Sequence, residues 1–146
     1  MLRALAKNGG VMGINFGEGF VNQQDADTLM KSVGAISFSQ VPDLTGKALD
    51  DYAAAELRRD TAPVTVAATL DDVVAHIDHA VKVAGIDHVG IGSDFDGIGG
   101  PPKGLEDISR EVQIAAALLK KGYSDEDVKK IMGGNTLRLI REVVGR

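Results

Sequence analysis

The sequence predicts a mixed α/β fold in which short buried strands alternate with helices, and it predicts that these strands belong to a larger parallel sheet. Two observations carry the first half of that reading. The runs VMGINF (residues 11–16) and HVGIG (residues 88–92) are short, apolar and bounded by glycine, and they lack polar alternation, as strands covered on both faces do. Amphipathic helical patterns lie between and after them. The second half follows from number. Two parallel strands cannot cover themselves and fall short of an ordinary sheet, so the expected parent is a barrel or a doubly wound sheet.

Composition narrows the class. Across 146 residues, 44% are hydrophobic and 25% charged, which is a globular balance at single-domain length. There is no cysteine, which excludes disulfides, thiolate metal sites and a cysteine nucleophile. The net charge is −5 and the lysines and arginines are scattered, which argues against nucleic acid as a partner. No run approaches the roughly 20 apolar residues of a membrane span. The opening MLRALAKNGG has no long apolar core of the signal-peptide kind. A cytoplasmic location is expected.

Taken in order, Leu2, Leu5 and Ala6 mark a short helix that stops at Asn8-Gly9-Gly10. A helix there, leading straight into a strand, reads as the tail of an αβ unit whose earlier strand lies outside the sequence. Residues 17–39 are ambiguous, one reading being a helix capped by Asp25; residues 41–46 read as a turn. Residues 48–59 are rich in helix formers, and Pro63 interrupts a linker over 61–67. Leu70, Val73, Val74, Ile77, Val81 and Ala84 form one apolar helical face, with Thr69 as cap, Asp72 three residues on and Gly85 as stop. After the second strand and its glycine-rich loop, helices are expected over 109–121, 124–132 and 135–144. Ser124 with Asp127 caps the middle one, and Gly133-Gly134 separates the last two.

The run GSDFDG (residues 92–97) raises the question of chemistry. Side chains alternate along a strand, so His88, Gly90, Gly92 and Asp94 share one face, while Val89 and Ile91 meet the covering helices. Asp94 then projects from a glycine-cleared face at the carboxyl end of the strand, where α/β barrels carry their chemistry. By the same alternation Asn15 ends the first strand near the same place. Asp96, followed by Gly97, reads as a turn residue. A calcium loop starting at Asp94 fails, because Ile98 and Leu105 stand where ligands belong.

The other polar candidates read as structural. His76 and His79 lie off the apolar stripe centred on Ile77 and are expected in solvent. His88 opens its strand, about 20 Å from Asp94 at the usual rise, too far to share a metal. No three-ligand metal cluster stands out in the sequence. GIGGPP (residues 97–102) and GGN (residues 133–135) are glycine-rich and match no phosphate-binding fingerprint; Asn135 is expected as a plain helix cap. GLED (residues 104–107) reads as a turn and capping device. Arg110, Arg138 and Arg141 are expected as helix-surface charges or members of local ion pairs.

Three stretches together carry a resemblance: HIDHAVKVAGIDHVGIGSDFDGI, then PKGLEDISR, then LLKKGYSDEDVKKIMGGNTLRLI. In that order they resemble the C-terminal part of the membrane (renal) dipeptidase family of zinc dipeptidases. The likeness runs over about residues 70–144 and takes in residues 2–16, leaving a less characteristic insert at about 17–68. Glu111-Val112 departs from the aromatic-Pro pair frequent in the family.

The resemblance implies the last two strands and C-terminal helices of a (β/α)8 barrel, incomplete on its own, and the hydrolysis of dipeptides at a two-zinc site. It implies Asp94 as the catalytic proton shuttle or the partner of the substrate amine; Asn15, which strand alternation puts near the same mouth, is the other substrate-binding candidate. The family's metal ligands, a His-x-Asp pair, a Glu and two histidines, fall upstream of the matched part, so no residue of this sequence is expected to bind zinc. The chain is expected to be a C-terminal fragment, inactive alone; Met1 reads equally as a true start or as an internal methionine of a longer chain. Its expected partners are a dipeptide substrate and, as candidate assembly, a homodimer. The alternatives are a non-catalytic barrel remnant serving assembly and a barrel enzyme using its glycine-rich loops for phosphate.

Overall fold

The computed structural model describes residues 1–33, 45–47, 50 and 66–145. Helix α1 (Leu2–Lys7) leads through Asn8-Gly9-Gly10 into strand β1 (Met12–Asn15). Helices α2 (Glu18–Val21) and α3 (Gln23–Val33) follow. Helix α4 (Leu70–Ala84) precedes a short turn (Ile86–His88) and strand β2 (Val89–Ser93). Beyond the loop lie a turn at Ile108–Arg110, α5 (Val112–Lys120), α6 (Asp125–Lys129), a widened turn (Lys130–Gly134) and α7 (Asn135–Val144). The expected helix over residues 48–59 and the turn over 41–46 fall largely outside the described residues.

The two strands pair in parallel, Met12 with Val89, Gly13 with Gly90 and Ile14 with Ile91. The register then slips, so that Asn15 pairs with Ser93 instead of Gly92. One sheet face carries Ile14, Phe16 and Val89 into a core shared with Val73 and Ile77 of α4, Ile114 and Leu118 of α5, Leu105 and Ile131. Ile77 is fully enclosed, and burial of such a side chain contributes about 1.5–3 kcal/mol. His76 and His79 are exposed, as the helical periodicity expects. Gly13 and Gly92 lie on the other face and are exposed. A Cβ at Gly92 would stand 3.1 Å from the Gly13 carbonyl carbon and the Ile14 oxygen, so this glycine permits backbone to approach backbone.

Local signals set several ends as expected. Thr69 and Asp72 form a reciprocal capping box on α4, and Ser124 and Asp127 form one on α6. Other expectations are corrected. Helix α3 begins at Gln23, and Asn22 is the capping side chain, accepting from the N–H groups of Gln24 and Asp25. Asp25 is instead buried and accepts from the N–H groups of Ala67 and Ala68 at 2.7–3.0 Å, tying α3 to the segment that enters α4. The single helix expected over 109–121 is a short turn followed by α5.

Asn135 is not a cap. It has helical backbone angles, is 2% exposed, and donates from Nδ2 to the carbonyls of Ile86 and Val89 at 2.7 and 2.8 Å. Those carbonyls lie where the chain enters β2 and need a donor once buried. Arg138 forms the expected local ion pair, with Glu142, and in addition donates from Nη2 to the Asp87 carbonyl at 3.0 Å, with a longer contact to that of Gly9 at 3.4 Å. His88 adds a 2.8 Å bond from Nδ1 to the Gly10 carbonyl, which can only accept, so the ring nitrogen carries the proton in this geometry. Three side chains therefore fasten the amino ends of both strands.

Candidate functional site

The carboxyl ends of β1 and β2 are built differently. Ser93, Asp94 and Asp96 all have left-handed backbone, with φ of 47°, 77° and 69°. Such angles are uncommon for side chains other than glycine, asparagine and aspartate, and a cluster of them is strain held in place by its surroundings. Strict alternation thus ends at Ser93, and the turn aims Asp94, not the strand pleat alone.

Two contacts hold the turn. Phe95 packs edge-on against the buried Phe16 ring, centroids 5.8 Å apart, so the residue between the two aspartates is anchored in the core. The Phe16 N–H donates to the Ser93 carbonyl at 2.8 Å and extends the strand pairing to the first left-handed residue. Farther along, Lys103 bridges to the chain entering α4, donating to Ala68 and accepting from Leu70, and Leu105 is fully buried. The Gly104–Asp107 segment is a turn and cap, as its sequence suggests. Gly104 N–H donates to the Glu106 carboxylate at 2.7 Å and Asp107 caps Ser109.

Within this frame Asn15 and Asp94 meet: Asn15 Nδ2 donates to Asp94 Oδ2 at 2.7 Å across 79 residues of sequence. Asp94 is exposed and Asn15 half-buried, so the carboxylate is held on one side and open on the other. Sequence reasoning placed both residues at this end; it missed Gly17, whose N–H donates to Asn15 Oδ1 at 2.6 Å, and Gly97, where a Cβ would stand 2.5 Å from Asp94 Oδ1. The Asp-x-x-Gly spacing, read as a turn in which the Gly97 N–H donates to the Asp94 carbonyl, was the available signal for Gly97.

Asp96 points elsewhere. With Phe95, Ile98, Pro101, Glu106, Asp107 and Ile108 it lines an open depression of about 400 Å³ beside the site. The Gly104 N–H holds the Glu106 carboxyl below the usual range, and the Ser109 hydroxyl, followed by its N–H, does the same for Asp107. The rim is therefore anionic at neutral pH. Among the described residues no three histidine, cysteine or carboxylate side chains stand close enough to hold a metal ion, and no helix is long and apolar enough to cross a membrane.

The chain as a whole has relatives among known proteins. The sequence profile of the membrane dipeptidase family, peptidase family M19, matches residues 1–145. Dipeptidase tcpJ of Claviceps purpurea is 39% identical over 117 residues, which are 80% of this chain and 24% of that protein. The probable dipeptidase PvdM of Pseudomonas aeruginosa superposes with a TM-score of 0.62 at 29% identity, covering 94% of this chain and 38% of its own. A metallo peptidase of Rhodobacter sphaeroides, solved with a phosphinate mimic of the dipeptide L-Ala-D-Ala, has the same fold over 96% of this chain and 29% of its own, with a TM-score of 0.61 at 23% identity. The chain spans about a quarter of the length of the curated relative. Together the matched strands, loop and C-terminal helices show that this chain belongs to the membrane dipeptidase family, M19.

Proposed function

We propose that this chain is the C-terminal part of a zinc-dependent dipeptidase, and that Asp94 moves the proton in hydrolysis of the peptide bond. The single observation that carries the reading is the placement of Asp94: an open carboxylate on a strained turn at the carboxyl end of a parallel strand, in an M19 chain. On this reading β1 and β2 are the last two strands of a (β/α)8 barrel and the loop after β2 borders its active-site opening. That the chain covers only part of each relative's length supports its being one piece of a larger fold.

In hydrolysis, water adds to the peptide carbonyl carbon and the C–N bond breaks. A proton must pass from the water to the leaving amine. A carboxylate within reach of both atoms accepts that proton and returns it, a role worth roughly 10²–10⁴ in rate. In its charged state the same group attracts the ammonium of the dipeptide. The family implies metal, which would activate the water. The described residues do not form a metal cluster, and what this chain contributes on this reading is the Asp94 carboxylate. On the same reading the zinc ligands come from upstream polypeptide, the 146-residue chain has no turnover alone, and the parent enzyme acts on dipeptides in the cytoplasm.

A chimera tests this. The chain replaces the matched segment of dipeptidase tcpJ, and dipeptide hydrolysis is assayed with zinc beside the isolated chain. The expected result is turnover by the chimera and none by the chain alone. A chimera that folds and binds zinc but loses nothing on Asp94→Asn contradicts the assignment of Asp94, and zinc-dependent turnover by the chain alone contradicts its dependence on other polypeptide.

A further inference from the structure

The contact between Asn15 and Asp94 has a direction. Gly17 N–H can only donate, so the Asn15 atom it meets at 2.6 Å is the amide oxygen. That fixes the amide, and its Nδ2 is then the atom that donates to Asp94 Oδ2 at 2.7 Å. The register slip between Ile14 and Asn15 brings Asn15 opposite Ser93, one residue closer to Asp94 than regular pairing would, as a bulge does when it re-aims a side chain. On the far side Gly97 leaves space for Oδ1 that a Cβ would remove.

We propose that Asn15 is a positioning residue: it fixes Oδ2 of Asp94 and leaves Oδ1 as the oxygen free to meet substrate and carry the proton. The inference rests on the reading of Asp94 given above. Asn15 acts through Asp94, its oxygen being committed to Gly17 and one N–H to the carboxylate. Gly97 is the complementary element, since it gives Oδ1 its room.

The test uses the tcpJ chimera described above and a double-mutant cycle read in kcat and KM, with folding and zinc content checked on each variant. Asn15→Ala lowers kcat roughly tenfold at little-changed KM and zinc content, and in the Asp94→Asn background it lowers kcat no further, because a residue acting through Asp94 has nothing left to position. Asn15→Ser, which keeps a short donor, retains more turnover than Asn15→Ala. Gly97→Ala leaves Asn15 in place, crowds Oδ1 and lowers kcat in the same way. A kcat unmoved in folded Asn15→Ala, or the same loss in both Asp94 backgrounds, overturns the proposal. Should Asn15→Ala fail to fold, Asn15→Ser and Gly97→Ala are read against the same two outcomes. The dipeptidase reading fails separately, through undiminished turnover of the Asp94→Asn chimera.

Discussion

The two ends of the same pair of strands contrast sharply. At the amino end Asn135, Arg138 and His88 reach the backbone carbonyls of Ile86, Val89, Asp87, Gly9 and Gly10 and close them off. At the carboxyl end the backbone is left-handed at three non-glycine positions, and an exposed carboxylate is held by one asparagine amide. Buried carbonyls with fixed donors stabilise; a strained turn that presents an open charged group costs stability and makes sense where a reaction uses it. The difference is one of exposure: polar residues at the amino end are spent on holding the fold, and at the carboxyl end one carboxylate stays open to solvent.

Substitutions at the amino end sharpen the contrast. Asn135→Ala leaves one buried and one part-buried carbonyl without their donor and should lower unfolding free energy by about 2 kcal/mol, read by urea denaturation. A loss under a few tenths of a kcal/mol would mean water replaces the amide freely. Arg138→Met keeps the apolar stem, gives up the donation to Asp87 and also removes a buried Nε that has no partner, so the expected loss is smaller, about 1 kcal/mol.

Acid should loosen the amino end by a definite route. Lys130, 2.7 Å from Asp87, holds that carboxyl below its ordinary range. Because the folded pKa is depressed, the stabilisation is present above the unfolded value and is lost as pH falls through the lower folded one. Asp87→Asn should flatten that part of the stability profile, modestly, since both side chains are partly exposed. An unchanged acid limb would remove the pair from the account. The smallest effect is expected from Asp96→Asn, because Asp96 lies on the same turn but faces the open depression and not Asn15. Chimera turnover should stay within about threefold of the unsubstituted protein, far short of the roughly 10²–10⁴-fold that a proton carrier is worth.

How much of this was legible follows from range. Local patterns declared themselves: the glycine-bounded strands, the apolar stripe about Ile77, and the Thr69–Asp72 and Ser124–Asp127 capping boxes each depend on residues a few positions apart. Asn135 did not, because Gly-Gly-Asn before a helix looks the same whether the asparagine caps it or donates to carbonyls 46 and 49 residues away. Asp25 was hidden for the same reason, its partners lying 42 and 43 residues on. Strand alternation pointed to Asp94 and Asn15, yet the register slip and the left-handed turn that join them are properties of two strands in contact, written in neither alone.

The central claim is that the first aspartate of the turn does chemistry and the second does not. The most direct test is kcat for a dipeptide in the tcpJ chimera bearing Asp94→Asn beside the one bearing Asp96→Asn, with zinc content and unfolding midpoint measured on each. The account predicts a fall of roughly 10²-fold or more for Asp94→Asn at unchanged zinc and stability, and near-normal turnover for Asp96→Asn. Equal losses in the two variants, or loss of zinc with Asp94→Asn, would contradict it.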